Sequence, residues 1–151
     1  MIHDRSILAS LRPAERLAAL GGVAAAGSML FPWYGIELEL ISGFSQTGLE
    51  AFNFAHAALV ATAGAAIVLV WRCAGGDPPP RPLGEGALLI AAGLWIGLLI
   101  AYLAVDRPDE IAGFSKVRLR YGIFVALGGA AALILGGLRL RTARAPLEEG
   151  V

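Results

Sequence analysis

Four apolar stretches without any charged residue recur along the chain. They cover residues 17–36, 51–71, 86–105 and 121–138, and contain 20, 21, 20 and 18 residues. A helix rises about 1.5 Å per residue, so about 20 residues span the roughly 30 Å hydrocarbon core of a bilayer. The pattern predicts four transmembrane helices, with spans at about 15–33, 48–72, 84–105 and 117–139 in one domain of residues 1–151.

Composition narrows the fold class to an all-α membrane protein. Of the 151 residues, 57% are hydrophobic, 16% are charged and the net charge is zero, whereas soluble domains carry about 25% charged residues. A soluble bundle needs charges on its outer faces, and a β-barrel needs alternation that these Ala-, Leu- and Gly-rich stretches lack. We therefore predict a four-helix transmembrane bundle with the lipid bilayer as its partner, and exclude a nucleic-acid-binding protein.

The distribution of Lys and Arg predicts the orientation. The two tails and the middle loop together carry eight basic residues, and the other two loops carry four, all within residues 107–120. Because cytoplasmic segments are enriched in Lys and Arg, we expect both termini to lie in the cytoplasm of a cell whose plasma membrane the protein crosses four times.

The first extracytoplasmic loop, residues 32–48, has the marks of an ordered cap. Trp33 and Tyr34 are side chains typical of the headgroup level, where the aromatic ring is partly exposed to water. Residues 36–41 alternate in polarity, which favours a short strand or an extended segment. Thr47 and Glu50 have the spacing of a capping box, so we expect the second helix to begin near Thr47.

Three basic residues, Lys116, Arg118 and Arg120, precede the fourth apolar stretch. If the fourth helix begins near residue 115, these side chains surround its entry into the membrane and extend to the headgroups. We interpret them as an interfacial anchor; a binding site for an anionic lipid headgroup or an acidic partner is the alternative.

Small residues repeat at four-residue spacing in every span, as in the Gly93–Gly97 pair. Helices in lipid associate through such close backbone contacts. The small-residue faces are expected to pack mainly within the chain, and some can face another membrane protein or a second copy.

Candidate chemistry is confined to the start of the second span. Asn53 and His56 are three residues apart and share a helix face, with Trp33 and Tyr34 expected above them. This set can bind a ligand, a proton or a haem iron; the alternative is that both polar side chains only bond to neighbouring segments. Cys73 is the single cysteine, and we identify no catalytic motif, metal site or cofactor.

Three short motifs resemble small four-pass membrane proteins of actinobacterial type: residues 30–34 (LFPWY), 48–52 (GLEAF) and 120–122 (RYG). The resemblance implies the four-pass topology and no catalytic residue. The layout also resembles claudin-like proteins, but their cysteine pair in the first loop is missing here, so their function is not transferred.

The function predicted from the sequence is a non-enzymatic accessory or structural subunit, packed against other membrane proteins or itself. The alternatives are a ligand-binding or redox membrane protein that uses Asn53 and His56, and a small transporter.

Overall fold

The fold is described from a computed structural model, which covers the backbone of residues 11–38, 41–77, 84–106 and 115–143. This part of the chain is mostly helical, as predicted. Three of its helices are long and apolar enough to cross a membrane. The helices are α1 (Pro13–Gly27), α2 (Phe54–Ala74), α3 (Glu85–Val105) and α4 (Tyr121–Thr142); α2, α3 and α4 are the three long ones.

Helix α1 is shorter than predicted. It continues as one 3₁₀ turn, Ser28–Leu30, and the chain is extended at Phe31 (φ −96°, ψ 158°). The residue before a proline avoids helical angles, and Pro32 itself has no N–H to donate. The predicted first span of 15–33 was therefore wrong at its carboxyl end.

Helix α2 begins at Phe54, not near Thr47. The expected pairing of Thr47 and Glu50 does form: the Thr47 backbone N–H donates to the Glu50 carboxylate (2.7 Å), and the Glu50 N–H donates to the Thr47 hydroxyl (3.2 Å). It closes a single turn only, because the chain is extended again at Asn53 (φ −137°, ψ −175°). The capping-box rule identified real bonds but the wrong helix start.

The far end of α2 is closed by a glycine. Gly76 has φ +87°, and the Asp77 N–H donates to the Arg72 carbonyl (3.0 Å) across the turn. This is the Schellman geometry, for which glycine is the favoured residue. The Arg72 guanidinium also pairs with the Asp77 carboxylate, which holds the turn closed.

A three-stranded antiparallel sheet corrects the all-α prediction. Strand β1 (Pro32–Leu38) lies between β2 (Ile41–Thr47) and β3 (Ser115–Leu119). The extended segment expected at residues 36–41 is confirmed in part, since β1 covers its first residues. Strand β3 was predicted to begin a helix; its alternating basic residues instead follow the two-residue period of a strand.

The sheet lies at one end of the helices, here called the sheet end, where α1 and α3 finish and α2 and α4 begin. The opposite end, where both chain tails attach, is called the tail end. Three short connections join the sheet to these helix termini: β1 follows α1, β2 leads to α2, and β3 leads to α4.

Helix α4 packs between α1 and α3 through glycines. A Cβ atom placed on Gly129 would lie 2.6 Å from the carbonyl oxygen of Gly21 in α1. A Cβ atom on Gly137 would lie 2.6 Å from the carbonyl oxygen of Gly86 in α3. In an apolar 18-residue segment of α4, 44% of the residues are buried, against 33% in the corresponding segment of α2 and 28% in that of α3. Small residues therefore bring three helices into backbone contact within the chain, as expected for helices in lipid.

Candidate functional site

Trp33 anchors the sheet to the helices. It lies at a β-bulge in β1, where the register with β2 shifts between Pro32 and Tyr34. A bulge redirects side chains, and here it accompanies the burial of two consecutive residues, Trp33 and Tyr34. The expectation that both rings would be partly exposed at the headgroup level was wrong.

Two glycines form the slot that holds the indole ring. A Cβ atom on Gly122, in the first turn of α4, would lie 2.6 Å from Trp33 Cδ1. A Cβ atom on Gly48 would lie 3.0 Å from Trp33 Nε1. The indole N–H donates to the carbonyl of Ser28 (2.8 Å). The slot therefore fixes both the position and the orientation of the ring.

Asn53 is the N-cap of α2. Its side-chain oxygen Oδ1 accepts from the backbone N–H groups of Ala55 (3.0 Å) and His56 (3.1 Å). The same oxygen lies 2.9 Å from Nδ1 of His56. One side chain thus satisfies two free donors of the helix terminus and orients the imidazole.

The His56 side chain is enclosed by aromatic rings. It is 1% exposed, and its ring centroid lies 5.0 Å from that of Trp33 and 6.4 Å from that of Phe52. Nε2 of His56 is buried and has no hydrogen-bond partner in the described ranges. A buried polar atom without a partner is uncommon in folded proteins.

The structure brings together three of the four residues expected to form the ligand site. Asn53, His56 and Trp33 are neighbours, whereas the Tyr34 hydroxyl donates to the carbonyl of Leu103 in α3 (2.9 Å). Tyr34 therefore ties the sheet to α3. The stacking partner Phe52 is a member of the cluster that the sequence prediction left out.

The basic residues of β3 lie on a strand next to the start of α4. Lys116 is paired in register with Glu37 of β1, and Arg118 with Gly35. The Arg118 and Arg120 side chains are exposed, whereas Val117, which precedes Arg118, is buried. The Lys116 side chain, with its predicted lipid contact, lies outside the described residues.

A buried acidic pair at the tail end was missed by the sequence prediction. Glu15 and Glu85 are 2% and 0% exposed, although each lies in the first turn of its helix. The Arg12 guanidinium lies 2.6 Å from the Glu15 carboxylate and 3.9 Å from that of Glu85. The available signal was the position of both acids at helix amino termini, where negative charge is favourable.

An open groove runs between α2 and α3 in the tail-end half of the molecule. Its volume is about 300 Å³, and it is lined by Thr62, Ala65, Ala66, Leu69, Leu88 and Ala92. Its only polar lining side chain is that of Thr62, whose hydroxyl donates to the Ala58 carbonyl of its own helix (2.7 Å). The groove therefore presents an apolar surface with several small side chains.

No protein-family model and no curated protein matches the sequence. The described residues contain no group of three His, Cys, Asp or Glu side chains that could hold a metal ion.

Proposed function

We propose that the chain is a four-span protein of the plasma membrane, similar in layout to the small actinobacterial four-pass proteins that its sequence resembles. The support is the set of three long apolar helices and the length of the fourth candidate span. The 15 residues of α1 and the three-residue 3₁₀ turn together rise about 28 Å. This length is close to the hydrocarbon thickness of a bilayer.

The proposed orientation puts the tail end in the cytoplasm. Cys73, in the last turn of α2, provides a test because it is the single cysteine. We expect a membrane-impermeant maleimide to label Cys73 only after cells are permeabilised. The control is a Cys73→Ser, Ser45→Cys double variant, in which the exposed position 45 of β2 should be labelled on intact cells. Labelling of Cys73 from outside would invert the topology.

The sheet end is proposed to lie at the level of the lipid headgroups. Strand β3 carries Lys116 and Arg118 and leads directly, through Arg120, into α4. Phe31 and Tyr121 are both partly exposed beside this junction, with ring centroids 5.8 Å apart. Cationic and aromatic side chains at a helix entry are typical of interfacial anchors.

The function that the geometry supports best is that of a non-enzymatic accessory subunit, which packs against another membrane protein or a second copy. The observation that carries this proposal is the open α2/α3 groove. At the α1/α4 and α3/α4 contacts small residues are covered by a neighbouring helix, whereas Ala65 in this groove is exposed. Small side chains permit the close approach of a further helix, which is the main source of association in lipid.

The test compares two substitutions on the same helix. Ala65→Phe fills the groove, whereas Val68→Phe introduces the same aromatic side chain at an exposed position that does not line it. We expect crosslinking in membranes and gel filtration in mild detergent to show a complex for the native chain and Val68→Phe, and its loss for Ala65→Phe. A native chain that is monomeric, with no crosslinked partner, would overturn the proposal.

A further inference from the structure

His56 carries an unused lone pair inside the protein. The oxygen Oδ1 of Asn53 accepts from two backbone N–H groups, so it is the amide oxygen and cannot donate to the imidazole. The 2.9 Å contact with Nδ1 therefore requires that Nδ1 carries the proton. In the neutral ring the other nitrogen, Nε2, is then an acceptor.

No donor near this nitrogen is available among the groups described. The neighbouring Trp33 N–H is used on the Ser28 carbonyl, and the Ser28 hydroxyl donates to Ala25. An acceptor that is buried without a partner destabilises the fold, because it has lost its hydrogen bonds to water without replacing them. A group that supplies a donor to Nε2 recovers this cost, which makes the nitrogen a binding determinant.

The surroundings define the shape of that group. The Trp33 and Phe52 rings both lie within stacking range of the imidazole, so a flat apolar molecule finds aromatic contacts there. Phe52, whose ring stacks on the imidazole, is itself 54% exposed, so this side of the cluster lies at the protein surface. Because His56 is 1% exposed, a ligand reaches the imidazole only when a neighbouring side chain such as that of Phe52 moves aside.

We propose that Nε2 of His56 accepts a hydrogen bond from the hydroxyl group of a lipid-soluble phenol or quinol that binds at the sheet end. The hydroxyl is the donor that the nitrogen lacks, and the aromatic ring of the ligand packs with Trp33 and Phe52. Asn53 acts as a positioning residue, because it fixes the ring nitrogen that remains unprotonated. This proposal is independent of the accessory-subunit proposal, which concerns the α2/α3 groove.

The experiment uses the full chain in lipid nanodiscs and two probes that differ in one group. The first is 4-hexylphenol; the second is 4-hexylanisole, in which a methyl ether replaces the hydroxyl donor. The chain has two histidines, so His3→Gln leaves His56 as the only signal when ¹⁵N-histidine is incorporated. We expect Nδ1 to carry the proton and the Nε2 resonance to shift as the phenol saturates the site.

The expected preference for the phenol over the anisole is at least about tenfold in Kd, which corresponds to about 1.4 kcal/mol. Two variants localise the effect. His56→Phe retains an aromatic ring without the acceptor, and should abolish the preference. Asn53→Asp retains an acceptor at the N-cap and should preserve it.

Three results would overturn the proposal. One is a proton on Nε2 in place of Nδ1. Another is equal affinity for the two probes, or no measurable binding of either, in the native chain. The third is an Nε2 resonance that is already hydrogen-bonded without any probe and unchanged by it, which would assign the site to a bound water. The comparison of probes on the native chain needs no variant, so it stands even if His56→Phe does not fold.

Discussion

The backbone contact between α1 and α4 predicts opposite effects for two adjacent substitutions. Gly129 faces α1, and a Cβ atom there would lie 2.6 Å from the Gly21 carbonyl oxygen and 2.7 Å from the Ala25 nitrogen. Gly128, the preceding residue of α4, meets no atom within 4 Å. Gly129→Ala and Gly128→Ala therefore make the same chemical change with and without a steric clash.

The magnitude follows from two terms. Replacing a helical glycine with alanine gains about 0.5–1 kcal/mol, because glycine loses more backbone entropy on folding. At Gly129 the facing atoms must also retreat by about 0.8 Å to reach the 3.4 Å of ordinary contact. Overpacking of this kind costs about 1–3 kcal/mol. We expect Gly128→Ala to raise the free energy of unfolding by up to about 1 kcal/mol, and Gly129→Ala to lower it by up to about 2.5 kcal/mol.

The measurement is reversible unfolding in mixed detergent micelles, with circular dichroism reporting the helix content. Both variants must retain the native helix content before denaturation, so that only stability is compared. If Gly129→Ala is as stable as Gly128→Ala, helices α1 and α4 do not approach as closely as described, and the central position of α4 is refuted.

Three further predictions follow from other contacts. Trp33→Ala should lower the free energy of unfolding by about 3–5 kcal/mol, whereas Phe31→Ala, at a partly exposed ring, should cost clearly less in the same denaturation experiment. Glu15→Ala removes the buried carboxylate that accepts hydrogen bonds from the Arg12 backbone and side chain. We expect the free energy of unfolding to fall by about 1–3 kcal/mol in a melting experiment, and an unchanged midpoint would contradict the pairing. Hydrogen bonds from the backbone and hydroxyl of Thr47 lower the pKa of Glu50. These bonds therefore stabilise the turn at a pH above the ordinary carboxylate pKa, and the stabilisation is lost as the pH falls through the lowered pKa. An NMR titration should show the pKa of Glu50 returning upward in Thr47→Val, with no change if the bonds do not form.

The helices could be predicted from the charge-free stretches because the length and apolarity needed to cross a bilayer are properties of each segment by itself. Residues 84–105, predicted from two flanking charges, coincide almost fully with α3 at Glu85–Val105. The start of α2 was displaced because a capping box needs only four residues, and it forms equally well in an isolated turn. Asn53 was the better signal, since asparagine is a favoured N-cap.

The sheet and the cluster around Trp33 could not be predicted in the same way. Strand β3 is five residues long, and its partner β1 precedes it by about 80 residues in the sequence. The burial of Trp33 depends on Gly48 and Gly122, which local patterns do not connect. Asn53 and His56 were paired from their spacing, but the unpartnered Nε2 depends on the N-cap bonds around it.

The central position of α4 sets an order of assembly. A chain is synthesised from its amino terminus, so the first three helices are made while the helix that joins α1 to α3 is still missing. Until then the glycine faces of α1 and α3, around Gly21 and Gly86, have no native neighbour. The completed bundle therefore forms only when the last helix arrives, and a nascent chain that stops before residue 121 leaves both faces open to capture by other helices.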